Sequence, residues 1–157
     1  MEDKFDEIIK YYAAKYNLDW LLLKAQIKQE SNFNPEAINR KSMAMGLAQF
    51  MLKTWLEWED ETVGIQDEQM EYNPFEPEQA IRVQAAYINW LRKQIMKLTA
   101  KDMEKWILAA YNWGIGNVTN LLKAGVKFND AVLPAETSNY VRNIMKFYDE
   151  YNQMKIK

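Results

Sequence analysis

The chain has 157 residues, of which 48% are hydrophobic, enough for one domain with its own core. It contains no Cys and no His, which removes disulfide frameworks, Cys/His zinc sites, Ser-His-Asp triads and Cys-His pairs. A net charge of −2 and a pI of about 5.3 argue against a nucleic-acid module and give no electrostatic pull toward anionic bacterial surfaces.

No apolar run approaches the length of a membrane span. The start, Met1-Glu2-Asp3-Lys4-Phe5, is charged and lacks the apolar stretch of a signal peptide. There is no internal repeat, no low-complexity tract and no Gly/Ser linker, so the expectation is one all-α domain over residues 1–157. Residues 3–16 predict a first helix with Phe5, Ile8, Ile9, Tyr12 and Tyr16 at helical spacing. Asp19 suits the cap of a second helix with the stripe Leu18, Leu21, Leu22, Ala25, and Asn34-Pro35 disfavours its continuation. Residues 35–45 read as a loop and about 47–58 as a third helix. The stretch 60–76, with Gly64 and Asn73-Pro74, reads as irregular. Pro77 suits the first turn of a long helix to about residue 98, striped by Ile81, Ile88, Leu91, Ile95 and Leu98. A helix over about 102–113 stops at Gly114. A short one near 116–124 ends at Gly125, and a last one over about 136–153 buries Tyr140, Val141, Ile144, Tyr148 and Tyr151.

With His and Cys absent, a carboxyl group with a raised pKa is the obvious proton carrier near neutral pH. Glu30 is the candidate. It borders the apolar face one turn beyond Gln26 and Ile27, at the end of its helix where the dipole disfavours a carboxylate. Partial burial pushes its pKa the same way. The bland alternative is an exposed glutamate ending a helix. In Gly46-Leu47-Ala48-Gln49, glycine permits close backbone approach and Gln49 offers both donor and acceptor to a sugar hydroxyl or acetamido group. The alternative is a helix start with a solvated Gln. Tyr111 and Asn112 precede Gly114 and sit at the rim of any groove there; the alternative puts Tyr111 in the core. Glu136 opens the last helix, where the dipole alone would explain it. Six Trp and nine Tyr can stack on sugar rings, but at helical spacing they more often form core. Trp90 and Trp106 read as core, while Trp55, Trp58 and Trp113 are unassigned.

Taken in order, Glu30-Ser31, Gly46-Leu47-Ala48-Gln49, Ala110-Tyr111-Asn112-Trp113-Gly114 and Pro134-Ala135-Glu136-Thr137-Ser138-Asn139-Tyr140 resemble the soluble-type lytic transglycosylase domain, a family related in fold to goose-type lysozyme. The stretch from Asn73 to Ile81 also resembles the segment before the family's long helix. The resemblance covers roughly residues 15–148. Two departures stand out: the family pattern S-x-x-G-A-x-G puts Arg40 at its serine and Met43 at its first glycine, with Ser42 as a shifted stand-in, and Ala48 replaces its Met.

The resemblance implies an all-α, lysozyme-like fold with a groove for peptidoglycan glycan strands. Glu30 would be the single acid/base, cleaving the β-1,4 bond between N-acetylmuramic acid and N-acetylglucosamine and leaving a 1,6-anhydro end. Ser31 would orient Glu30; Gln49, Met51, Tyr111 and Asn112 would line the groove; Glu136 and Tyr140 would face the catalytic carboxyl. No metal, cofactor or nucleic acid is expected, and the chain is expected to be a monomer. Two rivals remain: a muramidase using water, with Glu57, Asp60 or Glu136 as second carboxylate, and a non-catalytic peptidoglycan-binding module. Without a leader, the chain suits a phage lysis enzyme held in the host cytoplasm or carried on the virion; a trimmed periplasmic enzyme is the alternative.

Overall fold

A computed structural model describes residues 2–63 and 72–156, with the side chains of 59–63 and 156 outside the description. Its helices are α1 (Asp6–Lys15), α2 (Trp20–Ser31), α3 (Leu52–Val63), α4 (Pro77–Met96), α5 (Met103–Trp113), α6 (Ile115–Lys123) and α7 (Ala135–Ile156), with a 3-10 turn at Phe128–Asp130. Among the described residues there is no strand, only two isolated antiparallel bridges, Ile38 with Met45 and Met45 with Phe50. The all-α expectation holds.

The centre of the fold is α2. Every residue from Leu21 to Ile27 is buried, the pattern of a helix surrounded by others rather than one lying on a surface. Asp19 caps it as expected, its carboxylate accepting from the Leu21 amide at 3.0 Å. The helix ends before Asn34-Pro35, because Asn32 and Phe33 both take left-handed φ values of 49° and 63°. Helix α7 packs against α2 and α5, while α4 packs against α1, α3 and α5. The main core joins Leu23, Ile27, Ile81, Ile88, Leu91, Trp106, Leu108 and Ile144. A smaller cluster of Ala48, Phe50, Trp55 and Val83 lies beside it, with Trp58 and Tyr87 on its border.

The third helix is displaced from its expected position. It begins at Leu52, five residues past the expected start at 47, and runs to Val63. Residues 46–50 instead form a tight turn. Gln49 takes a left-handed φ of 51°, and Met45 and Phe50 exchange backbone hydrogen bonds at 3.0 Å across it. The apolar run that resembled a helix start is apolar because Leu47, Ala48 and Phe50 all point into core. Of the irregular stretch 60–76, residues 60–63 are helical, Gly64 lies outside the described residues, and Asn73-Pro74 forms the turn before α4. Leu98 is exposed rather than part of the α4 stripe, and Trp90 and Tyr148 are half-buried at the core's edge. Trp55 and Trp106 are core; Trp58 sits edge-on to half-buried Trp90 at 5.7 Å.

Candidate active site

Three segments converge on the last turn of α2. The first is the loop after it. Its Gly46 amide donates to the Ala37 carbonyl at 2.8 Å, and the Gln49 amide nitrogen folds back onto the Gly46 and Ala37 carbonyls at 2.9 and 3.2 Å. Gly46 itself has φ +78°, and a Cβ there would stand 2.1 Å from the Pro74 carbonyl oxygen. Only glycine fits both the backbone angle and that approach. The second segment is the end of α5, whose Tyr111 hydroxyl donates to the Ala48 carbonyl at 2.8 Å and so ties α5 to the loop. The third is the first turn of α7. Buried Thr137 donates to Asn112 Oδ1 at 2.7 Å, pinning α7 to α5 and leaving the Asn112 Nδ2 for the space between them.

That space is a cavity of about 420 Å³ lined by Gln29, Glu30, Asn39, Ser42, Ala44, Gln49, Met51, Tyr111, Asn112, Glu136, Asn139 and Tyr140. Of the expected site residues it brings together Glu30, Gln49, Met51, Tyr111, Asn112, Glu136 and Tyr140. Ser31 is not among the lining residues, and its hydroxyl donates back to the Ile27 carbonyl at 3.2 Å. Glu57 does not line the cavity either, and the Asp60 side chain lies outside the description. Arg40, at the family's serine position, is exposed, whereas Ser42 lines the wall. Met43, at the family's glycine position, still takes the glycine-like φ of 65°. A larger hollow of about 560 Å³ between α5 and α7 is lined by charged side chains such as Lys105, Arg142 and Glu150, and Glu30 is not among its lining residues.

The electrostatics single out Glu30. Burial pushes its pKa from the ordinary 4.5 up to about 8; a hydrogen bond from Tyr140 pulls it down, and the charge of Glu136 adds a further upward push. Among the described residues no Lys or Arg lines the cavity, so none of them offsets the cost of ionising it. Near pH 7 the group holds its proton and still opens on a polar cavity. Burial, and next the Glu30 charge, raise Tyr111 and Tyr140 well above 10, so both stay neutral hydroxyls. Among the described residues no group of three or more His, Cys, Asp or Glu side chains could hold a metal ion.

Four wall residues, Gln29, Asn39, Ala44 and Asn139, were not among the expected site residues. Asn139 was readable in principle: it sits three residues after Glu136 on the same helix face. Thr137 and Gln26, which hold Asn112 and Tyr140 from behind, were readable as polar residues inside apolar patterns.

The site is one protonated carboxylic acid held in a polar groove of an all-helical scaffold. Comparison with known proteins narrows this. The transglycosylase SLT domain model matches residues 7–133, and the chain belongs to that family. The membrane-bound lytic murein transglycosylase F of Pasteurella multocida is 34% identical over 116 residues, 73% of this chain and 21% of that protein. The protein of the same name from Pseudomonas fluorescens is 30% identical over 125 residues, 79% of this chain and 23% of that protein. Among solved structures, an inactive mutant of the lytic transglycosylase Slt from Pseudomonas aeruginosa superposes with a TM-score of 0.76 at 25% identity, over 97% of this chain and 24% of that one. The 70-kDa soluble lytic transglycosylase of Escherichia coli gives 0.77 at 24% identity, over 98% of this chain and 25% of that one. The chain therefore spans about a fifth to a quarter of the length of these relatives.

Proposed function

We propose that this chain is a peptidoglycan lytic transglycosylase, with Glu30 as its single acid and base. The observation that carries the reading is the half-buried Glu30 carboxyl, uncompensated by any cation lining its cavity among the described residues, which opens on a polar cavity and has a pKa of about 8. Family membership and the two sets of relatives support it.

In the resting site Glu30 is protonated. It donates that proton to the glycosidic oxygen between N-acetylmuramic acid and N-acetylglucosamine, and the C1–O bond breaks as positive charge develops at C1. Glu30 is now a carboxylate steadied by Tyr140. It takes the proton from the C6 hydroxyl of the same muramoyl residue as that oxygen bonds to C1. The ring closes as a 1,6-anhydro sugar, Glu30 is protonated again, and no water is consumed. An intramolecular nucleophile gains a large effective molarity, so a second catalytic carboxylate is not required. Asn112, Gln49 and Asn139 supply amide groups along the wall for hydroxyl and acetamido groups of the strand.

A hydrolytic reading needs a base for water, and an inverting one needs it about 6.5–9.5 Å from the acid. Of the three carboxylates considered, Glu136 lines the cavity. Mass spectrometry of the fragments released from purified peptidoglycan separates the two. Anhydro-muramoyl ends, one water lighter than reducing ends, are expected. Reducing ends throughout would make the chain a muramidase, and binding with no release would leave a glycan-binding module.

A further inference from the structure

Two primary amides occupy places where the apolar pattern calls for aliphatic side chains. Gln26 lies in the buried Leu21 to Ile27 run of α2, and Gln84 lies on the Ile81 and Ile88 stripe of α4; both are 0% exposed. Gln84 Nε2 donates to Gln26 Oε1 at 2.7 Å and to the Leu23 carbonyl at 3.3 Å. Gln26 Nε2 donates in turn to the Tyr140 hydroxyl at 2.8 Å. The Gln84 Oε1 is buried with no partner. As packing this is a poor solution, because two apolar side chains would fill the space without an orphaned oxygen.

The pair does have a direction. Each amide donates toward the cavity: Gln84 to Gln26, Gln26 to Tyr140. A phenol has one proton to give. With Gln26 occupying a lone pair of the Tyr140 oxygen, that proton is left for the Glu30 carboxyl, which lines the same cavity and whose pKa the Tyr140 hydroxyl pulls down. Accepting one hydrogen bond also strengthens the next one donated along the chain.

We propose that Gln26 and Gln84 are positioning residues for the acid: they hold the Tyr140 hydroxyl as a donor to Glu30, steadying the carboxylate that must take up the C6 proton. The proposal rests on the reading of Glu30 as acid and base. The ionisable groups facing Glu30 are Glu136 and Tyr140 from α7 and Tyr111 from α5, with Tyr87 of α4 acting on Tyr111. The loop side presents uncharged Asn39, Ser42 and Gln49. The amide pair adds no charge of its own, so its effect passes through the Tyr140 hydroxyl.

The test uses the near-isosteric variants Gln26→Met and Gln84→Met. Each single change strands a buried polar atom of the other amide, so both are expected to melt somewhat below the parent temperature, and the double variant Gln26→Met/Gln84→Met at or above it. In Gln26→Met the basic limb of the kcat–pH profile and the NMR titration of the Glu30 carboxyl carbon are both expected to move up by about half a unit, with a smaller shift in Gln84→Met. In the Tyr140→Phe background neither substitution is expected to shift the Glu30 titration further. An unchanged Glu30 titration in folded Gln26→Met, or a shift that persists alongside Tyr140→Phe, overturns the proposal. If Gln26→Met does not fold, the same two outcomes are read from Gln84→Met. The titration needs no turnover, so it judges the amide pair even if Glu30→Gln proves active and the functional reading falls.

Discussion

Helix α2 carries Lys24 near its middle and Glu30 near its end, and the fold treats these two side chains oppositely. Lys24 is 4% exposed, and its ammonium donates to Asp3 at 2.8 Å and Asp6 at 3.1 Å beside the rings of Trp20 and Tyr151. Burial alone would lower its pKa, but the hydrogen bonds and charges of the two aspartates outweigh it, and the net shift is upward. Lys24 is therefore charged at every physiological pH. Glu30 is pushed up chiefly by burial, against the downward pull of Tyr140 and with a further push from the charge of Glu136, and so keeps its proton near pH 7. The same helix yields a structural ion cluster at one place and a titratable acid at the other, and the partners packed against it make much of the difference.

The largest expected effect comes from removing the acid. Glu30→Gln is expected to lower clearing of a peptidoglycan suspension by about a thousandfold or more. The same change is expected to stabilise the fold, with a pH dependence that follows from the raised pKa. Below pH 4.5 Glu30 is protonated in both folded and unfolded chains and the substitution is nearly neutral. Between 4.5 and about 8 the unfolded carboxyl ionises while the folded one does not, so the parent loses stability as pH rises. The upper limit is about 1.4 kcal/mol per pH unit; with the cavity open to water, a gain of about 2 kcal/mol at pH 7 is expected for Glu30→Gln. Urea titrations at pH 4 and pH 7 check it, and equal stability changes at both would contradict a protonated Glu30.

Lys24→Met probes the opposite case. It strands the half-buried Asp6 carboxylate without its cation, and destabilisation by about 2 kcal/mol is expected, less than for a fully enclosed pair because the cluster's rim reaches solvent. Thermal unfolding reads the loss, while turnover per folded molecule stays at the parent value. A variant that unfolds no sooner would mean that Lys24 is as dispensable to the fold as an exposed lysine.

The loop that gives Ser42, Ala44 and Gln49 to the cavity wall offers another comparison, between Gly46 and Met43. Both have positive φ, but a Cβ at Gly46 collides with the Pro74 backbone, whereas Met43 is exposed and carries only the torsional strain. Gly46→Ala is expected to destabilise by about 2 kcal/mol and to lower activity by displacing the Gln49 turn. Met43→Gly is expected to change stability by less than about 1 kcal/mol, since relief of the left-handed strain is offset by the freer unfolded chain. Denaturation midpoints of the two variants rank them.

What the sequence made legible follows from the range of the forces involved. Helices α4, α5 and α7 could be read because stripe, proline and glycine signals are local, and Asp19 capped α2 where its side chain predicted. Glu30 was legible as an acid because it borders an apolar face. The turn at 46–50 was not, because Leu47 faces the main core while Ala48 and Phe50 face a second small core with Val83 of α4 and Trp55 of α3, which no local window contains. Ser31 illustrates a further limit: a hydroxyl on the last helical turn has a backbone carbonyl within its own turn, and here it takes that partner. The amides of Gln26 and Gln84 looked like interruptions in apolar stripes until α2, α4 and α7 came together.

The smallest effect concerns Glu136, the one charge beside Glu30 that the solvent also reaches. Its negative charge raises the Glu30 pKa, after the larger contribution of burial. Removing it in Glu136→Gln leaves burial and Tyr140 in place, so the Glu30 pKa falls and the basic limb of the kcat–pH profile moves to lower pH. Because Glu136 is exposed, the shift is expected to be a few tenths of a unit and to shrink as salt is raised, whereas the larger contribution from burial does not respond to salt. At neutral pH the rate is expected to change less than about threefold, and anhydro ends are still expected in the product. If Glu136→Gln abolished turnover while Glu30 titrated as before, Glu136 would be the base that a water-using mechanism requires. The contrast along α2 would then need redrawing, with two carboxylates rather than one carrying the chemistry.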